Sequence, residues 1–332
     1  MTLPRFQYLA PKTLEEALDL MSRYNGGLEV VAGGTEILGR LKHRLVNPSH
    51  VMSLKGVQGL SGIRKEGSEL VIGSMTTLRE IARSPAVAKA SRAVAQAADA
   101  VAAPPIQNVG TVGGNLLQNT RCLQYNQPEL TRKASGLCIK TGGRTCLAVK
   151  GGKRCLSVYQ GDLAPALAAC GATVKLEKTG ASRILAVPEL FSGSGQSPFT
   201  VDKQELLTEV RIPLPAGRCS SCYKKLRLRG SLDYPLASAA VFLSLKKGVI
   251  DESRLVIGAC GPSLVSVTEG ASLLKGKAPK DADIKKIAEK ASKAGEPVDN
   301  LSLPAAYRRK MFKILAARAI DEALRDFTEA GS

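Results

Sequence analysis

The chain has 332 residues, of which 44% are hydrophobic and 23% charged; this is a globular composition and excludes disordered, collagen-like and simple repeat architectures. Lys and Arg number 47 against 29 Asp and Glu, a formal net charge of +18 that favours anionic partners such as nucleic acid, acidic proteins or phosphate-bearing cofactors. Trp is absent and aromatics make up only 4%, which argues against a stacking platform for single-stranded nucleic acid.

The length suggests two or three packed units. No segment supplies the roughly 20 apolar residues of a membrane span, and the start, MTLPRFQYLAPKT, lacks the apolar core of a signal peptide. A cytoplasmic chain is therefore expected. In a reducing compartment its eight cysteines read as metal ligands, catalytic groups or core residues rather than disulfides.

In chain order, Thr13 and Glu16 make a capping-box pattern that opens a helix through Tyr24, and Asn25-Gly26-Gly27 stops it. Residues 28–32 read as a short buried strand, followed by Gly33-Gly34-Thr35 and a helix from Glu36. A strand, a glycine turn and a helix start together place backbone N–H groups where they can hold an anion. Residues 51–83 read as strands of a second lobe. Residues 91–103 form an alanine-rich helix that Pro104-Pro105 ends. A second glycine loop, Val109 through Asn115, follows. Patterning then lapses over 121–160 and resumes in a short helix to Cys170, with strands at 173–176 and 206–212. After a linker at 213–217 come strands at 223–227, 237–245 and 254–260, then helices at 282–294 and 305–327. The fold class is α+β, with two lobes and a C-terminal domain.

Cys122, Cys138, Cys146 and Cys155 fall within the stretch 121–160, spaced C-x15-C-x7-C-x8-C. Free cysteines usually hide in apolar cores, whereas this stretch carries eight basic residues and one acid, Glu129. Four thiolates need charge compensation, so the pattern reads as an insertion folded around a metal. Zinc is one candidate, although its ligands usually come in C-x2-4-C pairs. An iron–sulfur cluster, with more variable spacing, is the other. Cys170 and Cys260 read as core residues, and the Cys219–Cys222 pair has no second pair or histidine nearby.

Neither a G-x-x-x-x-G-K-[ST] phosphate loop nor a G-x-G-x-x-G fingerprint is present. The two double-glycine loops, Ala32 to Thr35 and Val112 to Asn115, serve either as tight turns or, jointly, as a cradle for the phosphates of a dinucleotide. His43 and His50, the only histidines, are expected at the surface. No hydrolytic triad or carboxylate pair stands out, so any chemistry belongs to cofactors.

The stretches VAGGTEIL, TVGGNL, GDLAPAL, YKKLR and DYPLASAAV resemble, in order and over nearly the whole chain, the flavin subunits of the xanthine dehydrogenase family of molybdenum hydroxylases. The resemblance implies a two-subdomain FAD-binding (PCMH/CO dehydrogenase flavoprotein-like) domain over 1–217. A small α+β C-terminal domain of the CO dehydrogenase flavoprotein type would occupy 218–332. The cysteine-bearing insertion at 121–160 resembles one branch, the β subunits of 4-hydroxybenzoyl-CoA reductases. By that resemblance the four clustered cysteines would hold a [4Fe-4S] cluster beside FAD.

Carried over by motif, Val31, Ala32, Gly33, Gly34, Thr35 and Glu36 would wrap the FAD pyrophosphate. Thr111, Gly114, Asn115 and Gln118 would form a second cofactor loop. Asp162 would bond the adenosine portion, and Lys224 would lie near the isoalloxazine or its phosphate arm. The partners implied are a large molybdenum-cofactor subunit and a small [2Fe-2S] subunit in a dimer of heterotrimers. Without a separate nicotinamide site, ferredoxin is the expected electron donor. Neither nucleic acid nor membrane is expected as a partner. The implied reaction is reductive dehydroxylation of 4-hydroxybenzoyl-CoA, with electrons entering at this chain. Two alternatives remain: a flavin subunit of another molybdenum hydroxylase acting on an N-heterocycle or other aromatic, and a basic scaffold or nucleic-acid-binding protein with a structural four-cysteine zinc site.

Overall fold

The computed structural model of the chain describes residues 2–329; residues 1 and 330–332, the outer ends of the two expected domains, lie outside them. Three sheets organise the described residues. Strands β1 (Gln7–Leu9), β2 (Leu28–Val31) and β3 (His50–Ser53) form a parallel sheet in the order β1-β3-β2. Strands β4 (Ile63–Glu66), β5 (Glu69–Gly73), β6 (Thr173–Lys178), β7 (Ala181–Ala186) and β8 (Leu206–Pro213) form an antiparallel sheet in the order β4-β5-β8-β6-β7. The third sheet, also antiparallel, joins β9 (Cys219–Leu226), β10 (Ala237–Lys246), β11 (Val249–Gly258) and β12 (Val265–Ser266) in the order β12-β11-β10-β9.

The capping box of Thr13 and Glu16 opens the helix Leu14–Arg23, whose Ala17, Leu18 and Met21 pack on Met52 and Leu54 as the core of the first lobe. Residues 51–83 depart from the expected run of second-lobe strands in two ways. The segment His50–Ser53 belongs to the first sheet, because a parallel partner for β2 needs a crossover and the helix Ile37–Lys42 provides one. Leu78–Arg83 is a helix, opened by a second capping box at Thr77 and Glu80.

The alanine-rich helix Arg92–Ala100 buries Ala93, Ala97 and Ala98 completely. These side chains belong to the central core that also takes in the helix Leu163–Ala169 and Tyr223 of β9. The third sheet is thus buried on both faces. Along β9, Tyr223 faces the central core while Cys222 faces the core built with the helices Ile284–Ala294 and Ala305–Glu329. This is the two-residue period of a strand.

The segment 121–160 is closed by reciprocal backbone bonds between Arg121 and Val158, both 2.7 Å. Its helix Glu129–Ser135 buries no residue. Arg132 fastens the segment to the body of the molecule by donating to the carbonyls of His43 (3.0 Å) and Arg44 (2.9 Å). Asn300 fastens it from the C-terminal side, donating to the Leu156 carbonyl at 2.6 Å and accepting from the Leu123 amide at 3.0 Å. Among the described residues no helix is long and apolar enough to cross a membrane.

Candidate functional site

A cavity of about 470 Å³ opens between the first two lobes, within the range of small-molecule sites. Both glycine loops line it. A Cβ on Gly33 would lie 1.9 Å from the Val109 carbonyl oxygen, and one on Gly114 would lie 3.7 Å from the Ala32 Cβ. The loops therefore meet backbone to backbone, and Gly34 adopts φ of +76°, a conformation glycine reaches without steric cost. Thr111 caps the following turn, its Oγ1 accepting from the Gly114 amide at 3.2 Å. Asn115 is fixed by its neighbours: its Oδ1 accepts from the Leu163 amide (3.1 Å), and its carbonyl accepts from Gln118 (3.1 Å) and from the Tyr159 hydroxyl (3.0 Å).

Of the residues named from sequence for this site, Ala32, Gly33, Gly34, Thr35, Glu36, Thr111, Gly114, Asn115, Gln118 and Asp162 line the cavity. Val31 and Lys224 are not among the lining residues. Lys224 lies on the opposite face of β9, where it pairs with Glu322 of the C-terminal helix. The cavity-side lysine is its neighbour Lys225, whose Nζ is 2.9 Å from Asp162 Oδ1. The same oxygen accepts from the Tyr223 hydroxyl at 2.7 Å. Burial raises the pKa of Asp162, and Lys225 and Tyr223 oppose that rise.

Sequence reasoning missed the groups that surround Glu36 at this site, Arg40, Arg121 and Tyr234, and also Ser74. Glu36 is raised in pKa chiefly by burial, against the lowering pull of Arg40 at 3.7 Å and Arg121 at 3.9 Å. Arg121 also stacks on the ring of Tyr234, 3.9 Å from its centroid, and Tyr234 lines the cavity. The Oγ of Ser74 and the Nε of Arg40 are buried without a hydrogen-bond partner, and both residues line the cavity. Buried polar atoms are ordinarily paired, so these two suit a polar ligand. Of the histidines, His50 stacks on Tyr24 at 3.9 Å and His43 donates from Nδ1 to the Asn126 carbonyl at 3.0 Å.

A second, smaller cavity is lined by all four of Cys122, Cys138, Cys146 and Cys155. Yet among the described residues no group of three or more His, Cys, Asp or Glu is placed to hold a single metal ion. The four thiols line one space, and no carboxylate lines it. The other cysteines have different surroundings. Cys170 and Cys260 are buried, their thiols pushed up to about 11 and 12 by desolvation. Cys219 and Cys222 pack toward different cores, so the C-x2-C pair is split across the sheet.

Residues 4–215 match the family described as the FAD binding domain in molybdopterin dehydrogenase, and residues 221–323 match the CO dehydrogenase flavoprotein C-terminal domain. The chain is a flavin-binding medium subunit of the molybdenum hydroxylase family. Similar medium subunits include the carbon monoxide dehydrogenase medium chain of Hydrogenophaga pseudoflava, 27% identical over 324 residues, which cover 97% of this chain and 98% of that one. The nicotine 6-hydroxylase medium subunit of Paenarthrobacter nicotinovorans is 27% identical over 323 residues, 97% of this chain and 99% of that one. Among solved structures, carbon monoxide dehydrogenase from Hydrogenophaga pseudoflava superposes with a TM-score of 0.79 at 26% identity, covering 97% of this chain and 98% of that chain. Quinoline 2-oxidoreductase from Pseudomonas putida 86 shares the fold, with a TM-score of 0.78 at 24% identity and coverage of 98% and 99%. FAD fits this medium subunit's larger cavity: two facing glycine loops leave room for a pyrophosphate against backbone amides, and Ser74 and Arg40 offer unpartnered polar atoms beside it.

Proposed function

We propose that this chain is the electron-transfer subunit of a heterotrimeric molybdenum enzyme and carries a [4Fe-4S] cluster on Cys122, Cys138, Cys146 and Cys155 beside its FAD. The observation that carries this reading is the convergence of the four thiols on one cavity without the geometry for a single ion. A zinc ion needs four donors about 2.3 Å from one point, whereas a cubane spreads its four ligands around a larger core. The basic, acid-poor insertion suits the negative charge of such a cluster.

The proposed flavin-binding part is 1–217, with 121–160 as its cluster-bearing insertion, and 218–332 covers it from the C-terminal side. Residues Ala32 to Glu36 would hold the pyrophosphate, and Thr111, Gly114, Asn115 and Gln118 the facing side. Lys225 and Tyr223 hold Asp162 in place, so that it presents a fixed carboxylate to the adenosine portion. Glu36 and Tyr234 tie the pocket wall to Arg121, the residue preceding Cys122, which supports a reading with the two cofactors side by side. FAD supplies the exchange between one- and two-electron steps when bound.

The partners we propose are a large molybdenum-cofactor subunit and a small [2Fe-2S] subunit in a dimer of heterotrimers, in the cytoplasm. An acidic ferredoxin would deliver electrons to the basic insertion under electrostatic steering. For the overall reaction we favour reductive removal of the phenolic hydroxyl of 4-hydroxybenzoyl-CoA, on the resemblance of the insertion. The names of the relatives, carbon monoxide dehydrogenase and nicotine 6-hydroxylase, favour a second reading: a molybdenum hydroxylase acting on an N-heterocycle or another small substrate.

An anaerobic visible spectrum with iron and zinc analysis tests the cofactor reading. Flavin bands over a broad shoulder that dithionite bleaches, with about four irons per chain, are expected. Flavin without iron would remove the cluster, and zinc in its place would remove electron entry at the insertion. Turnover of the purified trimer on the aromatic thioester against N-heterocycles then separates the two substrates.

A further inference from the structure

Of the eight basic residues in the insertion, three are spent elsewhere. Arg121 is committed to Glu36 and the Tyr234 ring, Arg132 to backbone carbonyls, and Lys133 to Glu129 at 3.0 Å. Lys140 differs. It is the only basic residue lining the cysteine cavity among the described residues. Its Nζ donates to Asn119 Oδ1 and the Gly195 carbonyl, both at 2.7 Å, and to Thr120 Oγ1. The Thr120 carbonyl and Ser157 Oγ lie farther out, at 3.4 Å. Every one of these partners is a neutral oxygen, and no carboxylate forms an ion pair with Lys140 among the described residues. The ring of Tyr125 covers the ammonium, 4.7 Å from centroid to Nζ.

An ammonium withdrawn from water without a counter-charge is costly. The oxygen cage orients it and solvates it but brings no negative charge. The missing charge is supplied once four thiolates bind a cluster across the same cavity, because that assembly is dianionic when oxidised. We infer that Lys140 is the built-in counter-cation of the four-cysteine site and raises the reduction potential of the cluster it holds. This rests on the cluster reading above.

The sign follows from charge alone. One electron from a low-potential donor turns the dianionic cluster into a trianion, and no proton or bond changes place. A fixed cation stabilises the trianion more than the dianion, so removing it makes the cluster harder to reduce. Asn119 offers a gentler handle. Asn119→Asp would set a carboxylate 2.7 Å from the ammonium at nearly unchanged volume, cancelling the cation's field without emptying its cage.

The test is a mediated redox titration of the purified complex with dithionite, followed by EPR, on wild type, Lys140→Met and Asn119→Asp. Iron, zinc and flavin are counted on each sample. We expect Lys140→Met to keep its iron and flavin and to shift the cluster midpoint to more negative potential, with a smaller shift in the same direction for Asn119→Asp. An unchanged midpoint in iron-replete variants overturns the inference while the cluster stands. Should Lys140→Met lose its iron, the midpoint of Asn119→Asp decides. Wild type that carries zinc or no iron overturns the inference together with the cluster reading, and is recognised before any variant is compared.

Discussion

The flavin pocket and the cysteine cavity lie on either side of Glu36 and Arg121, but they are held together by different forces. The pocket loops are backed by fully buried residues such as Val112 and Leu116, which support them from the core. The insertion has a helix with no buried residue, and Leu130 and Leu137 are 81% and 53% exposed. It is held by Arg132, Asn300 and its closing backbone pair, with four thiols where an apolar core would otherwise be. With so little apolar core of its own, the insertion is the part that the proposed cluster would organise.

The largest effect that would sharpen this contrast is expected from Cys138→Ser. If the four thiols hold the proposed cluster, losing one of them should release its iron and open 121–160 to limited proteolysis, with the flavin bands retained. Equal protease resistance in variant and wild type would show that the insertion holds itself. In the pocket, Gly33→Ala drives a Cβ to 1.9 Å from the Val109 carbonyl oxygen. An overpacking cost of about 3 kcal/mol amounts to about a hundredfold in FAD affinity, read as flavin per protein after gel filtration, with iron unchanged. The smallest effects come from the adjacent lysines. Lys225→Met leaves Asp162 buried without its cation; uptake of a proton caps the loss at about 2 kcal/mol. Lys224→Met breaks only a half-exposed pair with Glu322 and should cost less than about 1 kcal/mol. Denaturant midpoints of the two variants compare them, and equal losses would place both lysines in equivalent settings.

Sequence patterns revealed this molecule where the signal is local. The Thr13–Glu16 box, the two glycine loops and the four clustered cysteines each announce themselves within a few residues, whereas Pro104-Pro105, read as a helix stop, opens a short helix of its own (Pro104–Gln107) after the alanine-rich helix has ended at Ala100. What escaped depends on facing and on distance. Lys224 and Lys225 cannot be told apart because β9 is buried on both faces, so no polar–apolar alternation sets the phase. The edge strand Ala181–Ala186 is mostly exposed and carries no such alternation either. Arg121 and Tyr234 are brought together across more than a hundred residues, and the cage around Lys140 draws on Asn119 and on Gly195 from a separate loop. Arg308, fully buried, donates to the carbonyls of Leu236 (2.8 Å), Val298 (3.1 Å) and Ala259. Nothing in the sequence distinguishes it from the arginines at the surface.

The double-faced third sheet has a consequence for how the chain comes apart. The two family matches meet between residues 215 and 221, which invites a cut there. But β9 begins at Cys219 and contributes to both cores, and Ser221 accepts a bond at 3.0 Å from the Ala93 amide within the flavin part. Severing the chain at the junction would strip the alanine-rich helix of its cover and expose Asp162 without Tyr223 and Lys225. The boundary drawn by ancestry is therefore not a boundary of cooperativity, and the two halves are expected to melt as one unit.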